Sequence, residues 1–134
     1  MSNQIPESTN DLFERPILCA LSTINPDGQP HTVPVWCDRD GATVRVNCPD
    51  STKKARNMHV GSRVTVLIID PQQPYHWVEV QGHITEIRDE AHGAREHINS
   101  LSQKYTGNPV YQGYGNVLQI RLMYLIQPDK VNGR

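Results

Sequence analysis

Short segments of this chain alternate between polar and apolar residues, which is the pattern of half-buried β-strands. Residues 43–47, for example, read Thr-Val-Arg-Val-Asn. Residues 64–69 are nearly all apolar, and this predicts a strand that is covered on both faces. Six strands are predicted in all, over residues 17–24, 31–36, 43–47, 63–70, 75–87 and 117–126.

Turn residues separate these segments and predict antiparallel hairpins. Residues 25–28 read Asn-Pro-Asp-Gly, with proline at the second turn position and glycine where a positive φ is needed. Residues 38–41, Asp-Arg-Asp-Gly, predict a second turn. Gly82 is expected to mark a bulge or bend in the fifth strand, and Pro128 is expected to end the last one.

Three short helices complete the pattern. The first is predicted over residues 11–15, before Pro16, and the second over residues 53–58, after several candidate N-caps. The third carries one apolar stripe at three- and four-residue steps, made of Ala91, Ala94, Ile98, Leu101 and Tyr105. Because no βαβ rhythm appears, the fold class is predicted to be mainly β with short α-helices. The expected architecture is a six-stranded antiparallel split barrel in a single domain, residues 11–134, after a polar lead at residues 1–10.

The amino-acid composition and net charge of the chain limit the classes of function that it can have. The 134 residues are 37% hydrophobic and 20% charged, which suits one domain with a packed core. The formal net charge is -1, so no global field attracts nucleic acid or a membrane, and an anion site must be a local cluster. A polar N-terminus without the order of a signal peptide leads us to expect a cytoplasmic location. The three cysteines have no C-x-x-C spacing, and neither a disulfide framework nor a metal site is expected.

A basic cluster is the most informative feature of the sequence. Lys53, Lys54 and Arg56 lie at or near the start of the second predicted helix, where the helix dipole is already positive. Cations at this end of a helix are unfavourable, and a bound anion offsets that cost. The hydroxyls of Ser51 and Thr52 add donors for the anion. The cluster therefore predicts a pocket for a phosphate or carboxylate. The alternative is a solvated basic face on a surface helix.

Two aromatic segments are candidate walls for the same ligand. Pro34, within Val-Pro-Val-Trp at residues 33–36, has no N–H and cannot donate a ladder hydrogen bond. Backbone groups of the neighbouring strand edge are then free to contact a planar heterocycle. Trp36 is placed to line that slot; the alternative is an edge proline beside a core tryptophan. Tyr75, His76 and Trp77 form the second segment, which is a candidate wall of a pocket or of a subunit interface. At most two of them face one site, because neighbours alternate along a strand.

The motifs follow one another in a recognisable order. ALSTINPDGQP, VPVW, VRVN, KKARNM and VEVQGHI, followed by YTGNP after the third helix, resemble the pyridoxamine-phosphate-oxidase-like split-barrel superfamily. The similarity covers residues 12–131 and is greatest to the flavin/deazaflavin oxidoreductases of group B. It implies a homodimer of six-stranded split barrels with two cofactor sites at the subunit interface.

The resemblance also implies roles for individual residues. Lys54 matches the phosphate-binding lysine, Thr52 and Lys53 lie beside the phosphate, and residues 56–57 match an Arg-Asn pair. Asn47 precedes that helix near the cofactor, and residues 33–36 lie beside the isoalloxazine-type ring. The candidate cofactor-binding residues are therefore Val33, Pro34, Val35, Trp36, Asn47, Thr52, Lys53, Lys54, Arg56, Asn57, Tyr75 and Trp77.

The first expected function is hydride transfer between coenzyme F-420, a deazaflavin, and a small organic acceptor. An FMN-dependent oxidoreductase of the same fold is the second, and a non-catalytic flavin-, deazaflavin- or heme-binding protein is the third. F-420 carries a phosphate and an acidic glutamate tail, so the three cations of the basic cluster favour it. Residues 127–131 lack the arginine/histidine segment of true pyridoxamine phosphate oxidases, so vitamin B6 oxidation is not expected. No constellation of acid, base or nucleophile is recognisable, and we expect the cofactor to carry the chemistry, with Tyr111 or Tyr114 as candidate proton sources.

Overall fold

The computed structural model describes residues 2–113 and 119–134, and this part of the chain forms seven β-strands and three α-helices. The helices are α1 (Asn10–Glu14), α2 (Lys53–Asn57) and α3 (Ala94–Thr106). Two 3-10 turns, Glu7–Thr9 and Glu90–His92, precede α1 and α3. The strands are β1 (Cys19–Ile24), β2 (Pro30–Val35), β3 (Cys37–Asp40), β4 (Thr43–Pro49), β5 (Arg63–Ile69), β6 (Trp77–Arg88) and β7 (Arg121–Gly133).

All seven strands belong to one antiparallel sheet with the order β2-β1-β5-β6-β7-β4-β3. The two edge strands, β2 and β3, are consecutive in the chain and are joined by Trp36 alone. Consecutive Cα atoms are about 3.8 Å apart, so this short connection requires the sheet to curl until its edges meet. The predicted mainly-β split barrel is thereby confirmed, but the sheet has seven strands and not six.

The additional strand lies where a turn was predicted. Cys37–Asp40 pairs with β4, and the chain reverses only at Gly41, which has a φ of 60°. Asp38 lies opposite Arg45 in this register, and Arg45 donates two hydrogen bonds to its carboxylate, at 2.9 and 2.7 Å. A cross-strand ion pair therefore keeps this polar segment in the sheet, although its sequence has the composition of a turn.

Gly82 and Pro128 meet at a β-bulge between β6 and β7. Gln81 pairs with Lys130 and Gly82 with Pro128, so Asp129 is the extra residue of the bulge. The bulge predicted at Gly82 is confirmed. Pro128 was expected to end the last strand, but β7 continues to Gly133. The proline is tolerated because the bulge already interrupts the ladder where its N–H is missing.

One face of β5 is buried and the other is only partly covered. Val64, Val66 and Ile68 point into the core, whereas Leu67 is half-buried and Ile69 is 45% exposed. The expectation that both faces are covered is therefore wrong for the single chain. The uncovered face is apolar.

Helix α3 packs against β4 and β7. Its predicted stripe is buried at Ala94, Ile98 and Leu101. Lys104 Nζ donates to the carbonyl oxygens of Phe13 and Cys37, and the Tyr105 hydroxyl donates to the carbonyl oxygen of Ile17 at 2.8 Å. Because these acceptors lie before β1 and at the start of β3, the end of α3 connects these two parts of the chain.

The polar lead also packs on the domain. Thr9 is fully buried, and the Val131 backbone N–H donates to the carbonyl oxygen of Ser2 at 2.8 Å. None of the helices in residues 2–113 and 119–134 combines the length and the apolar character needed to cross a bilayer.

Candidate functional site

A pocket of about 440 Å³ lies where the two edges of the curled sheet approach each other. It is formed by the end of β2, the connection through Trp36, the end of β4, the start of α2 and the start of β7. Its described lining residues are Leu18, Pro34, Val35, Trp36, Asn47, Cys48, Pro49, Thr52, Lys54, Ile98, Tyr111, Gln119 and Arg121.

Two aromatic rings, Trp36 and Tyr111, line one wall of the pocket, and Tyr105 supports the indole of Trp36. The indole is stacked on Tyr105, with ring centroids 5.1 Å apart and planes 9° apart. Tyr111 meets it edge-on, with centroids 5.9 Å apart. Because Tyr105 is fixed by hydrogen bonds to Ile17 and Cys37, it holds the indole in place. The wall is therefore a rigid, half-buried surface suited to a planar ring.

The second wall begins at α2. Thr52 is the N-cap: its hydroxyl accepts a hydrogen bond from the Ala55 N–H at 3.3 Å and donates to the Pro49 carbonyl at 2.9 Å. Lys54 lines the pocket from this turn. The helix has only five residues, however, and Lys54 and Arg56 also lie in its last turn. The repulsion between these cations and the helix dipole is therefore weaker than expected from the sequence. The positive charge of the pocket comes from side chains.

Arg121 is a second cation of the pocket that the sequence analysis missed. It is only 5% exposed, and its guanidinium lies 5.0 Å from the Tyr111 ring centroid. Burial lowers the pKa of Arg121 below its ordinary value, since a desolvated charge is costly. The only sequence signal is a single arginine at the start of an apolar strand, and its place beside Asn47 depends on the pairing of β4 with β7.

Cys48 lies within the influence of both cations. Burial raises the pKa of its thiol, while the charges of Lys54 and Arg121 act in the opposite direction. A raised pKa keeps the thiol protonated at neutral pH and unsuited to act as a nucleophile.

Six of the predicted cofactor-binding residues converge on the pocket and six do not. Those that line it are Pro34, Val35, Trp36, Asn47, Thr52 and Lys54. Asn47 is buried, and its amide group is fully engaged inside the protein: the oxygen accepts from Arg121, and the nitrogen donates to the Ala94 carbonyl and to His97. It therefore shapes the pocket without a free donor for a ligand.

The other residues around α2 point elsewhere. Lys53 and Arg56 are exposed, and Arg56 donates to the Ser51 carbonyl at 3.3 Å. The Asn57 amide donates to the side-chain oxygens of Thr23 and Asn25, and so ties α2 to β1 and its turn. Val33 lies beside a separate shallow pocket on β1 and β2.

Tyr75 and Trp77 are not among the described lining residues of the pocket. Tyr75 is 79% exposed, and Trp77 pairs with Ile69. Between them, His76 contacts Asp11 at 2.9 Å and shares a cluster with Asp70, in which one potential metal-ligating atom from each lies within 4.8 Å of the others. Arg15 already donates to both carboxylates of this cluster, at 3.1 and 2.9 Å. Tyr114 lies outside the described residues, whereas Tyr111 is in the pocket.

The curled seven-stranded sheet, with a pocket where its edges meet, defines a split-barrel protein. The chain belongs to the pyridoxamine 5'-phosphate oxidase family, whose model matches residues 5–133. The superfamily assignment made from the motifs is thereby confirmed.

Solved structures share this fold. An F420 reductase is 26% identical, with a TM-score of 0.82 over 97% of this chain and 100% of that protein. HupZ of Group A Streptococcus is 16% identical, with a TM-score of 0.70 over 98% of this chain and 100% of the other. Rv2991 of Mycobacterium tuberculosis is 22% identical, with a TM-score of 0.69 over 98% of this chain and 86% of the other. No curated protein sequence matches the chain.

Proposed function

We propose that this protein is an oxidoreductase that binds coenzyme F-420 in the pocket lined by Trp36, Lys54 and Arg121. It transfers a hydride between the bound cofactor and a small organic acceptor in the cytoplasm. FMN is the alternative cofactor. One observation carries the proposal: the described lining of the pocket combines an aromatic wall with two cations, Lys54 and Arg121, and contains no carboxylate. An F420 reductase at 26% identity supports the choice of cofactor.

The donor set fits a cofactor that joins a planar ring to a phosphate. The indole of Trp36 and the apolar side chains of Pro34 and Val35 offer one region to the ring, and Lys54 and Arg121 offer another to the anion. When bound, such a cofactor supplies the hydride chemistry. The residues of this chain bind the anion, orient the ring and exclude water. Tyr111 is the tyrosine among the described lining residues and is the candidate proton source.

A titration of the purified protein with F-420 and FMN, followed by absorbance and fluorescence, tests this proposal. We expect binding of both, with the lower Kd for F-420, and reduction of an acceptor only when reduced cofactor is present. A lower Kd for FMN favours the alternative cofactor. If neither ligand binds at micromolar concentration, or if binding occurs without any turnover, the oxidoreductase assignment is wrong.

Apolar side chains remain uncovered beside the pocket and support a homodimer. Leu18 lines the pocket and is 59% exposed, and Ile69 is 45% exposed. Ala20 and Leu67, which pair across β1 and β5, share this outer face. A second copy seated here removes apolar surface from water and gives the pocket a further wall. It also brings its own Trp77 segment, which does not line the pocket within one chain.

Substituting Leu67 by glutamate is expected to dissociate this dimer, because a buried charge at an interface is costly. Sedimentation velocity at micromolar concentration is expected to give a dimer for the wild type and a monomer for Leu67→Glu, with weaker cofactor binding by the variant. Val60→Glu is the matched control, since Val60 is 66% exposed in the loop after α2. A monomeric wild-type protein contradicts the proposal.

A further inference from the structure

A chain of hydrogen-bonded side chains runs from the protein surface to the pocket and links four elements of the fold. From the pocket outward, Arg121 Nε donates to Asn47 Oδ1 at 2.9 Å, and Asn47 Nδ2 lies 3.1 Å from His97 Nδ1. His97 Nε2 lies 3.0 Å from Asp38 Oδ1, and Arg45 closes the chain with its two bonds to Asp38. We call these five residues the polar chain.

The donor-only chemistry of arginine determines the direction of every bond in the polar chain. Because Arg121 can only donate, Asn47 must present its oxygen to it and its NH2 group to His97 and to the Ala94 carbonyl. His97 Nδ1 is then an acceptor, so Nε2 carries the hydrogen and donates to Asp38. A single tautomer of His97 and a single orientation of Asn47 satisfy all these contacts.

Burial makes this arrangement rigid. His97, Asn47 and Arg121 are 4%, 5% and 5% exposed. Burial by itself raises the pKa of Asp38, but hydrogen bonds from His97 and Arg45 outweigh it and hold the pKa at about 2. Asp38 is therefore a fixed anionic acceptor at the outer end of the polar chain. A buried network in which every group is paired has one low-energy arrangement.

At the inner end of the polar chain, no carboxylate of the described residues balances the positive charge of Arg121. Among the described residues, no carboxylate contacts the Arg121 guanidinium. Glu90 accepts from the Arg121 backbone N–H at 3.0 Å, but its own charge is paired with Arg95 through two bonds, at 2.8 and 2.9 Å. A buried guanidinium without a counter-ion is unfavourable, and an anion in the pocket offsets that cost.

We propose that Arg121 is a second anion-binding residue of the pocket, and that Asn47, His97 and Asp38 are positioning residues that hold its guanidinium toward a phosphate group of the ligand. This inference rests on the proposed function and adds to it the recognition of the anionic part of the cofactor. Lys54 supplies one cation from a surface turn, whereas Arg121 supplies a preoriented one from the interior.

A purely structural role for the polar chain makes a different prediction. If His97 only stabilises α3 against β3, its loss weakens the binding of every ligand to the same extent. If it positions Arg121, the loss is confined to ligands that carry the anion. The ratio of Kd for riboflavin to Kd for FMN, which differ only by the phosphate, separates the two roles.

The experiment measures both dissociation constants for the wild type, Arg121→Gln and His97→Phe. Loss of a charge-assisted hydrogen bond is expected to weaken FMN binding about tenfold in Arg121→Gln and riboflavin binding less than about twofold. His97→Phe is expected to lose roughly three- to tenfold for FMN alone, since the guanidinium remains but is less well oriented. Arg63→Gln, which removes an exposed cation outside the pocket, is the matched control and is expected to leave both constants unchanged.

If His97→Phe does not fold, Asp38→Ala removes the acceptor at the half-buried outer end of the same chain, and the same selective loss is expected. Equal losses for riboflavin and FMN in the folded variants, or no loss in Arg121→Gln, overturn the inference. If the wild type binds no flavin or deazaflavin, the proposed function fails separately. Inorganic phosphate then tests Arg121 alone: it must raise the Tm of the wild type more than that of Arg121→Gln, and equal shifts overturn the inference.

Discussion

Replacement of Lys54 by alanine is expected to weaken the binding of F-420 and FMN by about ten- to a hundredfold. The physical reason is the loss of a charge-assisted hydrogen bond to phosphate, which contributes roughly 1.5–3 kcal/mol. Within the described residues Lys54 forms no hydrogen bond or ion pair, so the folded chain does not depend on it. Titration of wild type and variant with both cofactors measures the effect, and urea unfolding is expected to show stabilities within about 0.5 kcal/mol.

Lys53→Ala is the matched control for this prediction. Lys53 has the same charge and neighbours Lys54, but it is exposed and outside the described lining of the pocket. Its loss is expected to change affinity less than about threefold, through long-range electrostatics that added salt screens. Equal effects of the two substitutions would indicate a diffuse basic surface, and an unchanged affinity of Lys54→Ala would remove the basis of the pocket assignment.

Substitution of Gly82 by alanine is expected to destabilise the protein by roughly 1–3 kcal/mol or more. An added Cβ overlaps the Gln127 carbonyl oxygen and lies 2.9 Å from Ile126 Cγ2. The first of these atoms belongs to the backbone of β7, so no rotamer change relieves the contact. The bulge itself must move, and it lies between β6 and β7, the two longest strands of the sheet. Urea unfolding of wild type and variant measures the loss.

Gln81→Ala is the control for Gly82→Ala, since Gln81 is the exposed neighbour on the same strand. Its effect on the free energy of unfolding is expected to stay within about 0.5 kcal/mol. A Gly82→Ala variant as stable as wild type would show that the bulge adjusts freely, which contradicts its role as a fixed feature of the sheet.

The parts of the site that local chemistry encodes could be predicted. The Asn-Pro-Asp-Gly hairpin forms as expected, with Gly28 at a φ of 89° and its N–H donating to the Asn25 carbonyl at 2.8 Å. The cap at Thr52 and the position of Lys54 in the pocket follow from residues adjacent in sequence. Such features require only a few neighbouring residues, whose preferences survive in the folded chain.

The remainder of the site could not be predicted because its partners are distant in sequence. Arg121 joins Asn47 across 74 positions, and His97 meets Asp38 across 59. Asn47 was predicted only through the family resemblance, and Arg121, His97 and Asp38 look like ordinary surface residues in the sequence. The same is true of β3, where the turn-like composition of residues 38–41 is overridden by the ion pair between Asp38 and Arg45.

By itself, the sequence determined the class of fold, its family and the basic turn that carries Lys54, because strand periodicity, turn residues and motif order are local properties of the chain. Only the tertiary structure decided that Trp36 joins the two edges of the sheet, that β7 continues through Pro128, and that Arg121 enters the pocket at the end of the polar chain. These features depend on which strands become neighbours when the sheet curls, and strand pairing is set by packing of the whole barrel and not by any single segment.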